Sequence, residues 1–282
     1  MGAALRRALV LAMAGVLLGG CQTSKQGVSP EQSWLKEDFL GSFDVATART
    51  SAKPLVRPIE LRLRPTHGPA TFNKVDRALV DGRALPEDLS KLTLTIEPRG
   101  MEEFGVSIDF GGVREGMYMS MKARAAYNAR GMKMNEAEIS SSVFTQMKPE
   151  ERTAVRKMLD GILALMFCAA GHDVGKVGDE IYSIEVEGIV PGATGRMTSI
   201  AKGETFWGGR EVLIGDLSGT LYVTAGDGTR IPASLTGTDV FDKKSALLLA
   251  NSTHMRLIAG DGRKAEVRSQ YRIDPDSLAK LP

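Results

Sequence analysis

Five methionines near the middle of the chain have the type and spacing to form a ligand site. Met117, Met119 and Met121 alternate along one segment, and Met132 and Met134 follow closely. On a β-strand this spacing places three thioethers on one face, and soft sulfur ligands select Cu(I). Methionine is also a flexible apolar residue that fills irregular cores. Three interpretations stay open: a Cu(I) site, core packing, and a pliable wall for an apolar ligand.

Met132 and Met134 would share the face of the other three in one register only. Pairing of Tyr127 with Met132, through a turn at 128–131, would bring them there as the start of a return strand. The same register would direct Glu136 toward the apolar face, where an unpaired carboxylate is costly. All five methionines are therefore candidate ligand-binding residues, although the register that unites them conflicts with the charge pattern.

The remaining side chains offer little material for catalysis or metal binding. The motifs G-x-S-x-G, H-E-x-x-H and G-x-x-x-x-G-K are absent from the sequence. His67, His172 and His254 are far apart and have no partner at metal-ligand spacing. Cys168 lies among apolar residues that would not lower the pKa of its thiol. We therefore expect a protein without catalytic residues, metal or cofactor.

Composition and charge exclude several further classes. The 282 residues are 43% hydrophobic and 25% charged, which excludes wholesale disorder and a disulfide-dense miniature protein. The chain has 36 Lys and Arg residues against 34 Asp and Glu residues. A nearly neutral chain has no general electrostatic attraction for nucleic acid, so no nucleic-acid partner is expected.

Period-2 alternation of apolar residues predicts that strands dominate the chain. The same patterns are interrupted within 72–89, where Val75, Leu79 and Val80 favour a short helix. The sequence Ala-Gly-Asp-Gly occurs at 225–228 and again at 259–262, and predicts two hairpin turns or a duplication. The predicted strands are 59–63, 92–96, 104–110, 117–127, 181–190, 197–200, 211–214, 220–224, 245–250, 255–258 and 265–271.

One segment, 149–170, has the spacing of a helix. Its apolar residues recur every three or four positions, Pro149 suits the first turn, and Gly171 suits the C-terminal end. Strands spaced by about ten residues indicate antiparallel pairing. The expected fold class is therefore mainly β (α+β), an antiparallel curved sheet or half-barrel with one prominent helix packed on it.

The first 21 residues carry a targeting signal. A short basic start precedes an uncharged stretch, 8–20, which is shorter than the ~20 residues of a transmembrane helix. This pattern is typical of a secretory signal peptide. The stretch ends in Leu18-Gly19-Gly20-Cys21, and these residues resemble the lipobox of bacterial lipoproteins. The resemblance covers residues 1–21 alone, and the rest of the chain matches no family known to us.

The lipobox resemblance implies a lipid anchor. Residues 1–20 would be removed and Cys21 would be acylated, which leaves Cys168 without an intrachain partner. Gln22 follows the cysteine in place of the Asp that signals retention at the inner membrane. The resemblance therefore implies the cell envelope as location, at the outer membrane and facing the periplasm.

The expected organisation has three parts. After the signal peptide, residues 21–33 form the lipidated N-terminus and a polar tether, and 34–282 form a β-rich domain that could divide near 171–180. Two roles stay open: a non-enzymatic envelope lipoprotein with a binding or structural role, and a carrier or sensor of an apolar molecule or lipid. The expected partners are the membrane and either envelope proteins or an apolar ligand. Lipid-carrying envelope lipoproteins often have a curved sheet around a helix, which is an analogy of fold alone.

Overall fold

The computed structural model describes residues 44–85, 88–114, 117–186, 192–225, 228–259, 262 and 264–282. The predicted signal peptide, Cys21 and the tether lie outside the described residues. Among the described residues, no helix is long and apolar enough to cross a membrane.

Within the described residues, twelve strands pair into one sheet, and their pairing is antiparallel, as the sequence predicts. The strands in chain order are β1 (Ile59–Glu60), β2 (Ala70–Val80), β3 (Arg83–Ala84), β4 (Asp88–Pro98), β5 (Glu103–Arg114), β6 (Met117–Asn128), β7 (Glu138–Ser140), β8 (Asp173–Val174), β9 (Glu180–Glu185), β10 (Ala193–Trp207), β11 (Arg210–Thr224), β12 (Arg230–Asp242), β13 (Leu248–Ile258) and β14 (Lys264–Ile273). The spatial order in the sheet is β7-β6-β5-β4-β2-β14-β13-β12-β11-β10-β9, with β3 on β2. Strands β1 and β8 form a separate pair. Because β2 pairs with both β4 and β14, it joins the N-terminal and C-terminal meanders into one surface.

The helices are α1 (Val45–Ser51), α2 (Ser142–Gln146) and α3 (Pro149–Met166), followed at the C-terminus by a 3₁₀ helix, Pro275–Lys280. Helix α3 confirms the predicted helix. Pro149 occupies its first turn, and the Glu151 carboxylate accepts a hydrogen bond from Lys148 N at 2.9 Å. The helix ends four residues earlier than predicted, and turns lead to Gly171, whose φ of +91° suits glycine.

The sheet curls toward the face on which α3 lies. Tyr182 on β9 donates a hydrogen bond to Asp239 on β12 at 2.9 Å, although β10 and β11 lie between them. Three strand spacings in a flat sheet would measure roughly 14 Å. The two side chains meet because the sheet is curved, and we call this face the concave face. Farther along it, Tyr127 on β6 contacts Phe167, just after α3, edge to face at 4.9 Å.

The predicted helix within 72–89 is wrong, because Ala70–Val80 forms β2. Phe72, Ala78 and Val80 alternate onto the concave face and pair with β14, so burial on a curved sheet decides the conformation. The helical spacing of Val75 and Leu79 involves too few residues to outweigh this burial. Gly82 takes a φ of +77° in the turn between β2 and β3.

Two other strand predictions need correction. The strand predicted at 59–63 ends at Glu60, because the amides of Leu61 and Leu63 donate to the carbonyls of His172 and Ala129 rather than to a strand. Leu61 and Leu63 are still fully buried, so the alternation of apolar residues in 59–63 predicted their burial correctly. The strand predicted at 245–250 begins at Leu248.

The strands of the C-terminal half are longer than predicted. Strands β10 and β11 have 15 residues each and run through the gaps left between the predicted strands. Both Ala-Gly-Asp-Gly segments connect paired antiparallel strands, which confirms the hairpin prediction at 225–228 and 259–262. In each turn the glycine amide at the fourth position donates to the alanine carbonyl at 2.9 Å.

A buried ion pair ties the end of the chain to the sheet. Arg210 Nε donates to Asp242 Oδ1 at 2.8 Å, and the same guanidinium donates to the carbonyls of Leu278 and Pro282. Asp242 also accepts hydrogen bonds from the amide and hydroxyl of Ser245, which shape the turn before β13. These contacts fix the C-terminal segment against the first residue of β11 and the last residue of β12.

Candidate ligand-binding site

The structure does not bring the five candidate methionines together. Met121 is buried on the concave face and pairs with Phe110 of β5. The backbones of Met117 and Met119 lie on the same strand, and their side chains lie outside the described residues. Met132 and Met134 have exposed fractions of 56% and 59%. The Cu(I) interpretation therefore gains no support from Met132 and Met134.

The predicted return strand from Met132 is wrong for a local reason. Asn128 Oδ1 accepts hydrogen bonds from the amides of Arg130 and Met132, which folds the chain into a tight turn. Asn135 Oδ1 then binds Ala126 N at 2.6 Å. Between these caps only an isolated bridge forms, and it pairs Tyr127 with Lys133 rather than with Met132.

Two neighbouring rows of side chains cross six strands of the concave face and are apolar. One row follows the pairing from Val80 on β2 to Leu221 on β11, and the next follows it from Ala78 to Met197 on β10. We call these residues the apolar wall: Ala78, Val80, Met197, Leu221, Ala233, Leu235, Met255, Leu257, Ala265 and Val267. Gly195 and Gly219 complete the rows.

The side chains of the apolar wall are buried slightly less completely than those at the opposite end of the concave face. Its members other than Leu221 have between 4% and 7% of their surface exposed. Phe72, Phe241 and Ile273, at the opposite end of the concave face, keep none. Beside the sheet, Met158, Ile162 and Leu165 form an apolar stripe of α3 that is partly buried against the core. Both ends of the concave face are therefore buried, and the wall keeps slightly more exposed surface than the opposite end.

The next two rows along the same strands are mainly polar, although Gly237 and Leu217 also lie in the first of them. They run from Asp76 on β2 to Ser199 on β10, and from Lys74 on β2 to Asp239 on β12. We call these residues, with Tyr182 of β9, the polar belt: Lys74, Asp76, Tyr182, Ser199, Asp239, Asn251, Thr253, Ser269 and Tyr271. A band of hydrogen-bonding groups therefore separates the apolar wall from the filled end of the concave face.

A β-bulge in β9 directs the first member of the belt inward. Tyr182 pairs with Ser199 while Glu180 pairs with Ile200, so Ile181 is an extra residue. A bulge re-aims side chains, and here both Ile181 and Tyr182 are fully buried. The Tyr182 hydroxyl then reaches Asp239, whose other oxygen accepts a hydrogen bond from Asn251 Nδ2 at 2.6 Å.

The belt is closed at one end and open at the other. Asp239 and Ser199 have no exposed surface, whereas the Lys74 side chain is 43% exposed although it lies on the concave face. Lys74 Nζ donates to Asp76 Oδ2 at 2.7 Å, and the ring of Tyr271 stacks on Phe72 at 5.1 Å. Solvent therefore reaches the belt at β2.

Two buried oxygens of the open end have no hydrogen-bond partner among the described residues. They are Asp76 Oδ1 and Tyr271 Oη. Leaving a polar atom buried without a partner costs about 1–3 kcal/mol, so such atoms in a native protein need an explanation. Both lie in the half of the belt that borders the partly exposed Lys74 side chain.

Burial sets the protonation of the closed end. It raises the pKa of the Asp239 carboxyl above its ordinary value, and the hydrogen bonds from Asn251 and Tyr182 oppose part of that rise. Burial also raises the pKa of the Tyr182 hydroxyl and of the Cys168 thiol, with Asp239 adding to both. Cys168 is therefore an unreactive buried thiol, as its sequence context predicts.

We expect Asp239→Asn to flatten the pH dependence of stability. Because the folded pKa of Asp239 is raised, the folded state binds more protons than the unfolded state, and stability falls as the pH rises from about 4 through the folded pKa. The substitution keeps the shape and removes the ionisation. Urea denaturation from pH 4 to 8 would measure the free energy of unfolding of both proteins. The difference between the variant and the wild type should shift in favour of the variant as the pH rises, and a difference that stays constant with pH would contradict this assignment.

The described residues contain no group of three or more His, Cys, Asp and Glu side chains that could hold a metal ion. His172 is exposed, and His254 Nε2 lies 3.0 Å from Glu266 Oε2 in a simple pair. The polar belt itself holds two carboxylates, of which Asp239 is fully enclosed by neutral donors.

Comparisons with known proteins place no name on this site. No protein-family model matches the chain, and no curated protein is significantly similar to it. Among solved structures, a DUF1329 family protein from Desulfovibrio piger is 10% identical, with a TM-score of 0.15 over 83% of this chain and 92% of that chain. The dehydratase domain from the CurJ module of curacin polyketide synthase is 11% identical, with a TM-score of 0.15 over 74% and 78%. Likenesses this weak carry no functional conclusion.

Proposed function

We propose that this chain is a non-enzymatic binding protein of the cell envelope, tethered by an acylated Cys21, that receives an apolar ligand against the apolar wall. The observation that carries the proposal is the contrast within one concave face. The wall is apolar across six strands, and nine of its ten side chains keep 4–7% of their surface exposed, while Phe72, Phe241 and Ile273 at the far end of the same face keep none.

The chemistry of the wall suits a hydrocarbon chain. It consists of Ala, Val, Leu and Met side chains, which offer dispersion contacts and no hydrogen bonds. Each buried methylene contributes about 0.8 kcal/mol, so a chain that buries about eight would gain roughly 6 kcal/mol before ordering costs. Met197, Met255 and, beyond the belt, Met121 add adaptable side chains to the concave face. Met197 and Met255 were not among the five methionines that the sequence nominated, and none of those five lies in the wall.

The tether supports the same role. The residues that resemble a lipobox would fix the protein at the outer membrane, facing the periplasm, through acyl chains rather than charge. A protein held there is surrounded by lipids, which are the most abundant apolar molecules of that compartment. Carriage or sensing of such a molecule needs no catalytic group.

We expect Ala233→Phe to abolish or strongly weaken binding of an acyl ligand. Ala233 lies in the middle of the apolar wall, so a phenyl ring would occupy the space of the ligand. The purified full-length protein would be titrated with a fluorescent acyl probe, and lipids that co-purify with it would be identified by mass spectrometry. We expect at least a tenfold loss of probe affinity, which corresponds to about 1.4 kcal/mol.

The adjacent residue supplies the control. Ser234 lies next to Ala233 on the same strand and is exposed on the opposite face, so Ser234→Phe adds the same ring outside the wall. It should leave probe affinity unchanged. Equal affinities in the wild type and both variants, or no binding to the wild type, would overturn the proposed function.

A further inference from the structure

We propose that the open end of the polar belt holds the head group of the ligand, and that this head is uncharged and bears hydroxyl groups. The inference rests on the proposed function and names the class of ligand. Such a ligand is an amphiphile whose chain lies on the apolar wall, with a head of the kind found in a monoacylglycerol.

The position of the belt relative to the wall supports an amphiphile. The row of Asp76 and Ser269 follows directly on the row of Ala78 and Val267 along the same strands. Successive rows on one face are separated by two residues, or about 6.6 Å. A ligand that covers the wall therefore meets hydrogen-bonding groups at one end of its chain. The carboxylate at the closed end of this band accepts hydrogen bonds from within the band, whereas Asp76 Oδ1 and Tyr271 Oη at the open end are not satisfied by any described residue.

The two unpartnered oxygens mark the place of the head. Asp76 Oδ1 can only accept a hydrogen bond when the carboxyl is ionised, and Tyr271 Oη can donate or accept. Asp76 as a whole is 7% exposed, so its free oxygen is almost fully shielded from solvent. A head that bears hydroxyl groups can satisfy both oxygens, because a hydroxyl can donate to the carboxylate and can accept from the phenol.

The charges of the belt favour a neutral head over an anionic one. Its one cation, Lys74, is already paired with Asp76, and the belt also contains Asp239. A phosphate or carboxylate head at this place would lie close to the Asp76 carboxylate without a free cation of the belt to compensate. A head that lacks donors, such as an ester, would leave Asp76 Oδ1 without a partner.

The test uses three ligands that share an oleoyl chain: monooleoylglycerol, oleoyl lysophosphatidic acid and methyl oleate. Each would displace a fluorescent acyl probe from the purified full-length protein, at concentrations below micelle formation. We expect monooleoylglycerol to bind at least fivefold more tightly than either of the other two. Tyr271→Phe should weaken monooleoylglycerol binding roughly threefold to tenfold and leave methyl oleate unchanged.

Tyr271→Phe separates binding from stability, because the hydroxyl that it removes has no hydrogen-bond partner among the described residues. The midpoint of unfolding in urea should therefore not fall. Tyr182→Phe is the matched control: its hydroxyl is bonded to Asp239 at the closed end, so its loss should lower the midpoint without changing the order of the three ligands. Equal binding of the three ligands, or a preference for the phosphate, would overturn the head-group assignment and leave the proposed function standing. Displacement by none of them would overturn both.

Discussion

Gly215→Ala is expected to destabilise the protein by about 1–3 kcal/mol, the usual cost of overpacking a filled core. A Cβ at this position would overlap Ser199 Oγ and lie 2.9 Å from Ile181 Cδ1. Gly215 pairs with Asp239. Because Gly215 has no side chain, Ser199 of β10 and Ile181 of β9 can approach β11 closely, and the sheet can curl toward β12. The free energy of unfolding in urea would measure the loss.

Two further variants make this prediction specific. Ser199→Ala removes the first overlap and leaves the end of the flexible Ile181 side chain as the remaining contact, so the double variant should recover about half of the loss. Gly68→Ala is the control, because its nearest neighbour would be the Lys280 side chain at 3.8 Å. If Gly215→Ala is as stable as Gly68→Ala, the close approach of these strands is wrong.

Cys21→Ser is expected to abolish acylation of the protein. The resemblance to a lipobox assigns the lipid to this one thiol, and several acyl chains on it would hold the protein on the membrane almost permanently. Cells that express the full chain would be labelled with radioactive palmitate, and the immunoprecipitated protein would be counted. The label should disappear completely, and the protein should remain unprocessed or move to the soluble fraction.

The second cysteine of the chain is the matched control. Cys168 is buried and its thiol pKa is raised by that burial, so Cys168→Ser should keep the palmitate label. A label that persists in Cys21→Ser and disappears in Cys168→Ser would contradict the anchor. Because both variants change one sulfur to oxygen, differences between them report position alone.

The fold class could be predicted from the sequence because the buried apolar residues recur with the period of a strand or of a helix. Strands such as β5 alternate Phe104, Val106 and Ile108 with polar residues, and α3 spaces its apolar residues by three and four. The prediction of β2 was wrong where Lys74 and Asp76 interrupt the apolar alternation. Those two residues belong to the polar belt, so the local pattern was broken by the feature that gives the concave face its chemistry.

The site could not be predicted because its members meet only through the register of the sheet. Asp76, Asp239 and Tyr271 come from three strands that are far apart in sequence, and nothing in the sequence fixes which residues pair. One signal was present: Asp239 stands at an inward position between Leu235 and Phe241 in a strand whose inward residues are otherwise Gly or apolar. A lone carboxylate at such a position indicates a buried polar contact.

The measurement that tests the account most directly is photo-crosslinking of an acyl probe with a diazirine in its chain. The full-length protein would be irradiated with the probe, and the modified residues would be mapped by mass spectrometry. We expect labels on wall residues of β12 and β13, such as Leu235 and Met255, and their loss when monooleoylglycerol is added in excess. Labels confined to exposed residues such as Ile258 and Phe206, without competition, would contradict a ligand site on the concave face.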